Sequence, residues 1–170
     1  MAYILPLADD SFGDEEKHAM ISVIESGYYT MGEKVSEFED AFSNWLGSSH
    51  SVMVNSGSSA NLLLVYSQIV SSFKNDLMKP GDEVLVPALL WPTTIWPLIQ
   101  FGLKPVLVDI DLESLAMDLE DSKCKVTKKT KAVFLIHVLG YACEMDDYVS
   151  FCHDHNLILI EDCCESFGAF

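Results

Sequence analysis

Short β-rich apolar runs that alternate with helical or loop segments predict an α/β fold with a mostly parallel sheet. Three observations carry that reading. Runs such as Lys104–Val108, Ala132–His137 and Leu157–Ile160 are apolar almost throughout, as strands covered on both faces are. Stretches with apolar residues at helical spacing lie between them. Glycine and proline turns punctuate the changes of period.

The elements follow in order. Asp14 to Ser26 places Ala19, Met20, Val23 and Ile24 at helical spacing, with Asp14-Glu15-Glu16 in its first turn and Gly27 after its last, which predicts a capped amphipathic helix. Val35 to Leu46 repeats the pattern through Val35, Phe38, Phe42 and Trp45, and Gly47 stops it. Ser51–Val54 reads as a strand that meets a Gly/Ser turn, and Ser59 to Val70 as a buried helix. Pro80-Gly81-Asp82 is a turn before the strand Glu83 to Pro87, and Thr93 to Phe101 is a short helix ended by Gly102. The strands Lys104–Val108 and Ala132–His137 flank a polar, Lys-rich connection. Asp146 to His155 is helical, and Leu157–Ile160 is a last strand ending in Glu161-Asp162.

At 170 residues, with 49% hydrophobic and 21% charged, the chain has the composition of a folded domain and is treated as one continuous unit, residues 1–170. Its 26 Asp and Glu against 10 Lys and Arg give a net charge of -16, which argues against nucleic acid and anionic membrane surfaces as partners. No apolar stretch approaches the roughly 20 residues needed to cross a bilayer. Met1 to Asp10 lacks the basic start of a signal peptide, so a cytoplasmic protein is expected. The five cysteines have no CxxC spacing, and they read as reduced, mostly buried thiols with no metal site.

Several residues sit where ligands bind. Asn55-Ser56-Gly57-Ser58-Ser59 lies at a predicted helix start, where backbone amides suit a phosphate dianion; the alternative is a plain cap by Ser58 or Ser59. It is neither a P-loop nor a dinucleotide fingerprint. Asp162 closes a strand at the sheet's carboxyl edge, where it can pair with a cationic heterocycle nitrogen or simply cap a helix. Trp91 follows a strand end and can cover a flat ligand or pack in the core. His137 is a substrate ligand or a hydrogen-bonded buried imidazole. His153 and His155 do not share a helix face and make no metal pair. A phosphate seat, a carboxylate and a stacking ring are together the three holds that pyridoxal phosphate needs.

The chain resembles the DegT/DnrJ/EryC1/StrS family of pyridoxal-phosphate enzymes, the sugar aminotransferases of fold type I. The resemblance runs through Ile4-Leu5-Pro6-Leu7, Glu25-Ser26-Gly27, Thr30-Met31-Gly32, Phe38-Glu39 and Asn55 to Asn61. It continues through Lys79 to Val84, Gly102 to Asp109, His137 to Gly140, Glu161-Asp162 and Ser166 to Ala169. It implies a three-layer α/β/α large domain, of which this chain is the N-terminal portion, with pyridoxal 5'-phosphate as cofactor. Gly57 and Ser58 match the phosphate turn, Trp91 the stacking aromatic, Asp162 the catalytic partner of the pyridine nitrogen, and Glu165 the place of a Gln that reaches the ring hydroxyl. The implied activity is amino transfer from an amino-acid donor to a nucleotide-linked keto-sugar, in a cytoplasmic homodimer serving polysaccharide or aminosugar synthesis. Trp91-Pro92-Thr93-Thr94, Leu139-Gly140 and Cys163-Cys164-Glu165 look closer to the branch of nucleotide-deoxyhexulose 3-dehydratases, which is the alternative beside a non-catalytic fragment. No lysine of this chain matches the family's cofactor-bound lysine, so these residues alone are expected to be inactive.

Overall fold

In a computed structural model, residues 11–70 and 78–169 are described. Ile4 to Leu7, quoted for the resemblance, lie outside them. The chain divides into two compact units, residues 1–53 and 54–170.

The first unit carries α1 (Asp14–Ser26) and α2 (Glu33–Leu46). The Gly13 amide donates to Glu16 Oε2 at 2.7 Å, and Gly27 closes the helix at φ 70°, a conformation that favours glycine. The predicted strand at 51–54 does not form. Its Met53 N–H donates to Glu39 Oε1 at 2.7 Å, and Ser43 Oγ donates to Ser51 Oγ at 2.8 Å. The segment is thus tied to α2 by side chains and pairs with no strand among the described residues.

The second unit contains α3 (Gly57–Val70), β1 (Glu83–Pro87), α4 (Pro92–Gln100), β2 (Lys104–Val108), α5 (Leu119–Lys125), β3 (Thr130–Ile136), α6 (Met145–His155) and β4 (Ile158–Asp162). The four strands form one sheet in the order β2-β1-β3-β4, and every pairing is parallel. Both faces are covered. Val84, Val86, Ala132 and Phe134 pack with Val65 of α3 and Leu98 of α4 on one side. Leu85, Val133 and Leu135 pack with Tyr148, Phe151 and Cys152 of α6 on the other, with Leu119 of α5 against them. This is the predicted α/β/α layering, and it explains why the central strands β1 and β3 read as continuous apolar runs rather than alternating ones.

Two further features depart from the sequence reading. The Lys-rich connection contains α5, capped by Asp118, whose Oδ1 accepts the Asp121 N–H at 2.8 Å; Lys123 and Lys125 pair with Glu120 and Asp121. The cysteines are not mostly buried: Cys143 and Cys152 are, but Cys124, Cys163 and Cys164 are exposed. Cys163 and Cys164 lie in the turn after β4, at the open edge of the sheet, and so escape the core. Burial pushes the Cys152 thiol up to about 11. No described helix is long and apolar enough to cross a membrane.

Candidate active site

After β1 the chain forms β2 beside it, then crosses to form β3 on the other side of β1. The connections therefore diverge at the carboxyl ends of β1 and β3, which is where open α/β sheets place ligands. A cavity of about 400 Å³ occupies that edge. It is lined by the first turn of α3, the segment after β1 into α4, Ile136 and Val138 at the end of β3, and Asp162, Cys164 and Glu165 after β4.

Register puts Asp162 there. It pairs with Ile136 at the last rung of β3 and β4, so its carboxylate stands at the sheet's rim. Three donors hold it. Asn61 Nδ2 reaches Oδ2 at 2.8 Å and Thr94 Oγ1 reaches the same oxygen at 3.0 Å, while the Cys164 N–H reaches Oδ1 at 3.1 Å. The carboxylate neither caps a helix nor pairs with a cation among the described residues.

The first turn of α3 is capped by Ser56 rather than by Ser58 or Ser59. Ser56 Oγ accepts the Ser59 N–H at 3.2 Å and its carbonyl accepts the Ala60 N–H at 3.0 Å. Among the described residues no group accepts from the Gly57 or Ser58 amide. These are the donors that a helix start presents to an anion, and both residues line the cavity.

Trp91, the residue preceding α4, is 73% exposed and lines the cavity, so the core-packing alternative fails for it. Glu165 also lines it, and its Oε2 accepts the Leu139 N–H at 2.6 Å. Leu139 has φ 56°, in the left-handed region that a branched side chain seldom adopts, and the Glu165 contact helps hold it there. All five residues singled out from the sequence, Gly57, Ser58, Trp91, Asp162 and Glu165, come together on this one cavity.

His137 does not line it. Its ring is 4% exposed, accepts the Cys143 N–H on Nδ1 at 3.2 Å and lies 3.2 Å from Glu161 Oε2 through Nε2. Cys143, Cys163 and Glu161 around the ring raise its pKa, whereas the amide donated to Nδ1 opposes a proton on that nitrogen. The amide can only donate, so in the neutral ring the proton lies on Nε2, directed to Glu161. His137, Glu161 and Cys163 bring one ligand atom each within 4.8 Å of the others, yet a protonated Nε2 offers no lone pair to a metal.

Sequence reasoning missed Asn61 and Thr94, although both stand inside motifs it singled out. One signal was available. Asn61 directly precedes the apolar run Leu62-Leu63-Leu64-Val65 in a helix the sequence predicts as buried; the structure buries Asn61 and Val65 and leaves Leu62, Leu63 and Leu64 exposed, and a buried amide needs a partner.

Fold and cavity define a parallel α/β protein with a ligand site at the carboxyl edge of its sheet. The chain belongs to the DegT/DnrJ/EryC1/StrS aminotransferase family, whose profile matches residues 10–170. It is 41% identical over 164 residues to GDP-4-keto-6-deoxy-D-mannose 3-dehydratase of Yersinia pseudotuberculosis, covering 96% of this chain and 41% of that protein. The crystal structure of GDP-4-keto-6-deoxymannose-3-dehydratase with a trapped PLP-glutamate geminal diamine superposes with a TM-score of 0.90 at 42% identity, over 97% of this chain and 42% of the other. An aminotransferase from Psychrobacter cryohalolentis superposes with a TM-score of 0.84 at 27% identity, over 96% of this chain and 40% of the other. The chain thus spans about two fifths of the length of these relatives.

Proposed function

We propose that residues 1–170 form the N-terminal part of the large domain of a pyridoxal-phosphate-dependent nucleotide-deoxyhexulose 3-dehydratase, acting on a GDP-linked keto-sugar. The observation that carries this over amino transfer is identity: 42% to the 3-dehydratase structure against 27% to the aminotransferase structure, with similar coverage of this chain. The expectation of an aminotransferase gives way to the alternative on that ground. The cofactor is supported by fit. The cavity has the size of a small-molecule site, with paired free amides at one wall, an anchored carboxylate at another and an exposed indole at its rim.

Pyridoxal phosphate supplies a conjugated cationic ring that draws electrons from bonds beside an attached nitrogen. This chain's residues bind and orient it. The Gly57 and Ser58 amides take the phosphate. Asp162 is the catalytic residue, accepting a hydrogen bond from the ring nitrogen and so holding a proton on it. Trp91 covers the ring face and limits access of water. Glu165 spends one oxygen on Leu139, which leaves the other for the ring hydroxyl. A homodimer, an amino-acid cosubstrate and a cytoplasmic role in polysaccharide synthesis complete the reading.

The test uses the full natural chain with pyridoxal phosphate, GDP-4-keto-6-deoxymannose and ¹⁵N-glutamate. Mass spectrometry should find a sugar that has lost its C3 hydroxyl and carries no ¹⁵N. An amino sugar bearing the label would overturn dehydration in favour of amino transfer.

Two binding results are expected. An added Cβ at Gly57 meets nothing nearer than Cys164 Sγ at 4.0 Å, so Gly57→Val leaves the chain room to fold and puts its bulk beside the cavity's thiol. Cofactor affinity should fall about tenfold or more as the side chain crowds the backbone amides. Iodoacetamide mapping reports it independently: pyridoxal phosphate should protect Cys164 but not the distant Cys124 in the wild type, and neither in the variant. For Trp91→Ala, quenching of tryptophan fluorescence by the cofactor should largely vanish, and binding should weaken by on the order of 1 kcal/mol. Trp96 does not line the cavity, and quenching that survives the substitution would assign the stacking to it.

A further inference from the structure

We infer that Asn61 is a positioning residue, which with Thr94 leaves Asp162 a single open acceptor direction, on Oδ1. The inference rests on the cofactor reading above and adds how the carboxylate is aimed. Asn61 is 5% exposed and Thr94 is fully buried, so neither is held by solvent. Asn61 Nδ2 donates to Asp162 Oδ2 at 2.8 Å and lies 3.4 Å from Thr94 Oγ1, a longer and weaker contact. Thr94 accepts that long contact and passes its own hydrogen to Oδ2 at 3.0 Å. The three side chains close a triangle that joins α3, α4 and the end of β4.

The consequence follows from counting lone pairs. Each carboxylate oxygen has two in-plane acceptor directions. Two donors fill those of Oδ2, and the Cys164 N–H fills one of Oδ1. Rotation about the Cβ–Cγ bond would break all three contacts together, so the remaining direction is fixed in space. A ring N–H has one place to go. With Asn61 removed, Oδ2 regains an open direction, and the plane of the carboxylate loses the tie to α3 that Asn61 supplies.

The proposal separates from a packing role by spectroscopy. The full natural chain is compared with Asn61→Leu, which keeps the volume without the donors, and with Thr94→Val and Thr94→Ser, which remove and keep the hydroxyl. The readouts are the ¹⁵N resonance of ring-labelled pyridoxal phosphate, the cofactor's Kd, and the unfolding midpoint of the cofactor-free protein. Asn61→Leu and Thr94→Val should each move the ring-nitrogen resonance toward the unprotonated position and weaken binding about three- to tenfold. Thr94→Ser should keep the wild-type resonance. Variants that lower only the unfolding midpoint, with resonance and Kd unmoved, would overturn the inference and make Asn61 a packing residue. An Asn61→Leu that fails to fold leaves the decision to the Thr94 pair, whose matched resonances would equally overturn it. A wild-type protein that takes up no pyridoxal phosphate would instead overturn the cofactor reading, and the inference with it.

Discussion

Asp162→Ala is expected to lower turnover of the full-length enzyme by about 10²- to 10⁴-fold, equivalent to about 3–5 kcal/mol of barrier. On the function proposed above, this carboxylate would hold a proton on the ring nitrogen, and its charge would matter most when electrons move into the ring. Alanine also leaves the buried Asn61 amide and Thr94 hydroxyl without their shared acceptor, at a stability cost of about 1–3 kcal/mol. Loss of activity through unfolding must therefore be separated from loss of chemistry, and Asp162→Asn does so. Its single oxygen can still serve Asn61 and Thr94, but its NH2 would then face the Cys164 amide and the ring N–H, donor against donor. Both variants should be folded by circular dichroism and both nearly inactive. Turnover within about tenfold of wild type for either would remove Asp162 from the chemistry.

Legibility in the sequence depended on whether a residue's role was set locally or by the sheet. The central strands β1 and β3 were legible because burial on both faces writes an unbroken apolar run, as in Val133 to Ile136, and the edge strands β2 and β4 because their apolar runs lie between turn signals. The strand expected at 51–54 misled because Val52-Met53-Val54 has strand composition, whereas what it bonds to is α2, many residues away in sequence. The helix α5 hid behind its charges. Yet Asp118 at its cap, acids in its first turn and lysines in its last were all readable, and only its shortness and polarity disguised it. Around the cavity, Gly57, Ser58, Trp91 and Asp162 were legible because strand ends and helix starts converge on one edge of a parallel sheet, whereas Glu165 came from the family resemblance alone. Asn61 and Thr94 were not: their partner Asp162 lies 101 and 68 residues away, and periodicity carries no information about such a distance. Glu165 was legible as a position but not in its contact, since the Leu139 amide meets it only because of a left-handed turn at a branched residue.

Phe134→Ala should be the most destabilising single truncation, costing about 3–5 kcal/mol in urea unfolding. Phe134 lies at the centre of β3, is fully buried, and packs on the face covered by α3 and α4 with Val84, Val86, Leu98 and Ile160. Hydrogen-bonded neighbours flank β3 on both sides, so the backbone cannot collapse into the space that the ring vacates. The cost is therefore transfer plus cavity rather than transfer alone. Leu107→Ala on the edge strand β2 supplies the contrast: its side chain is 52% exposed, and the same measurement should give less than about 1 kcal/mol. The effect should reach the site as well. Phe134 pairs in register with Ile160, two residues before Asp162, on the same rungs that set the carboxylate at the rim. A folded Phe134→Ala protein should accordingly bind pyridoxal phosphate more weakly, while Leu107→Ala should not. A Phe134→Ala loss below about 1.5 kcal/mol would mean that α3 and α4 close over the gap, and that the sheet is less rigid than its burial implies.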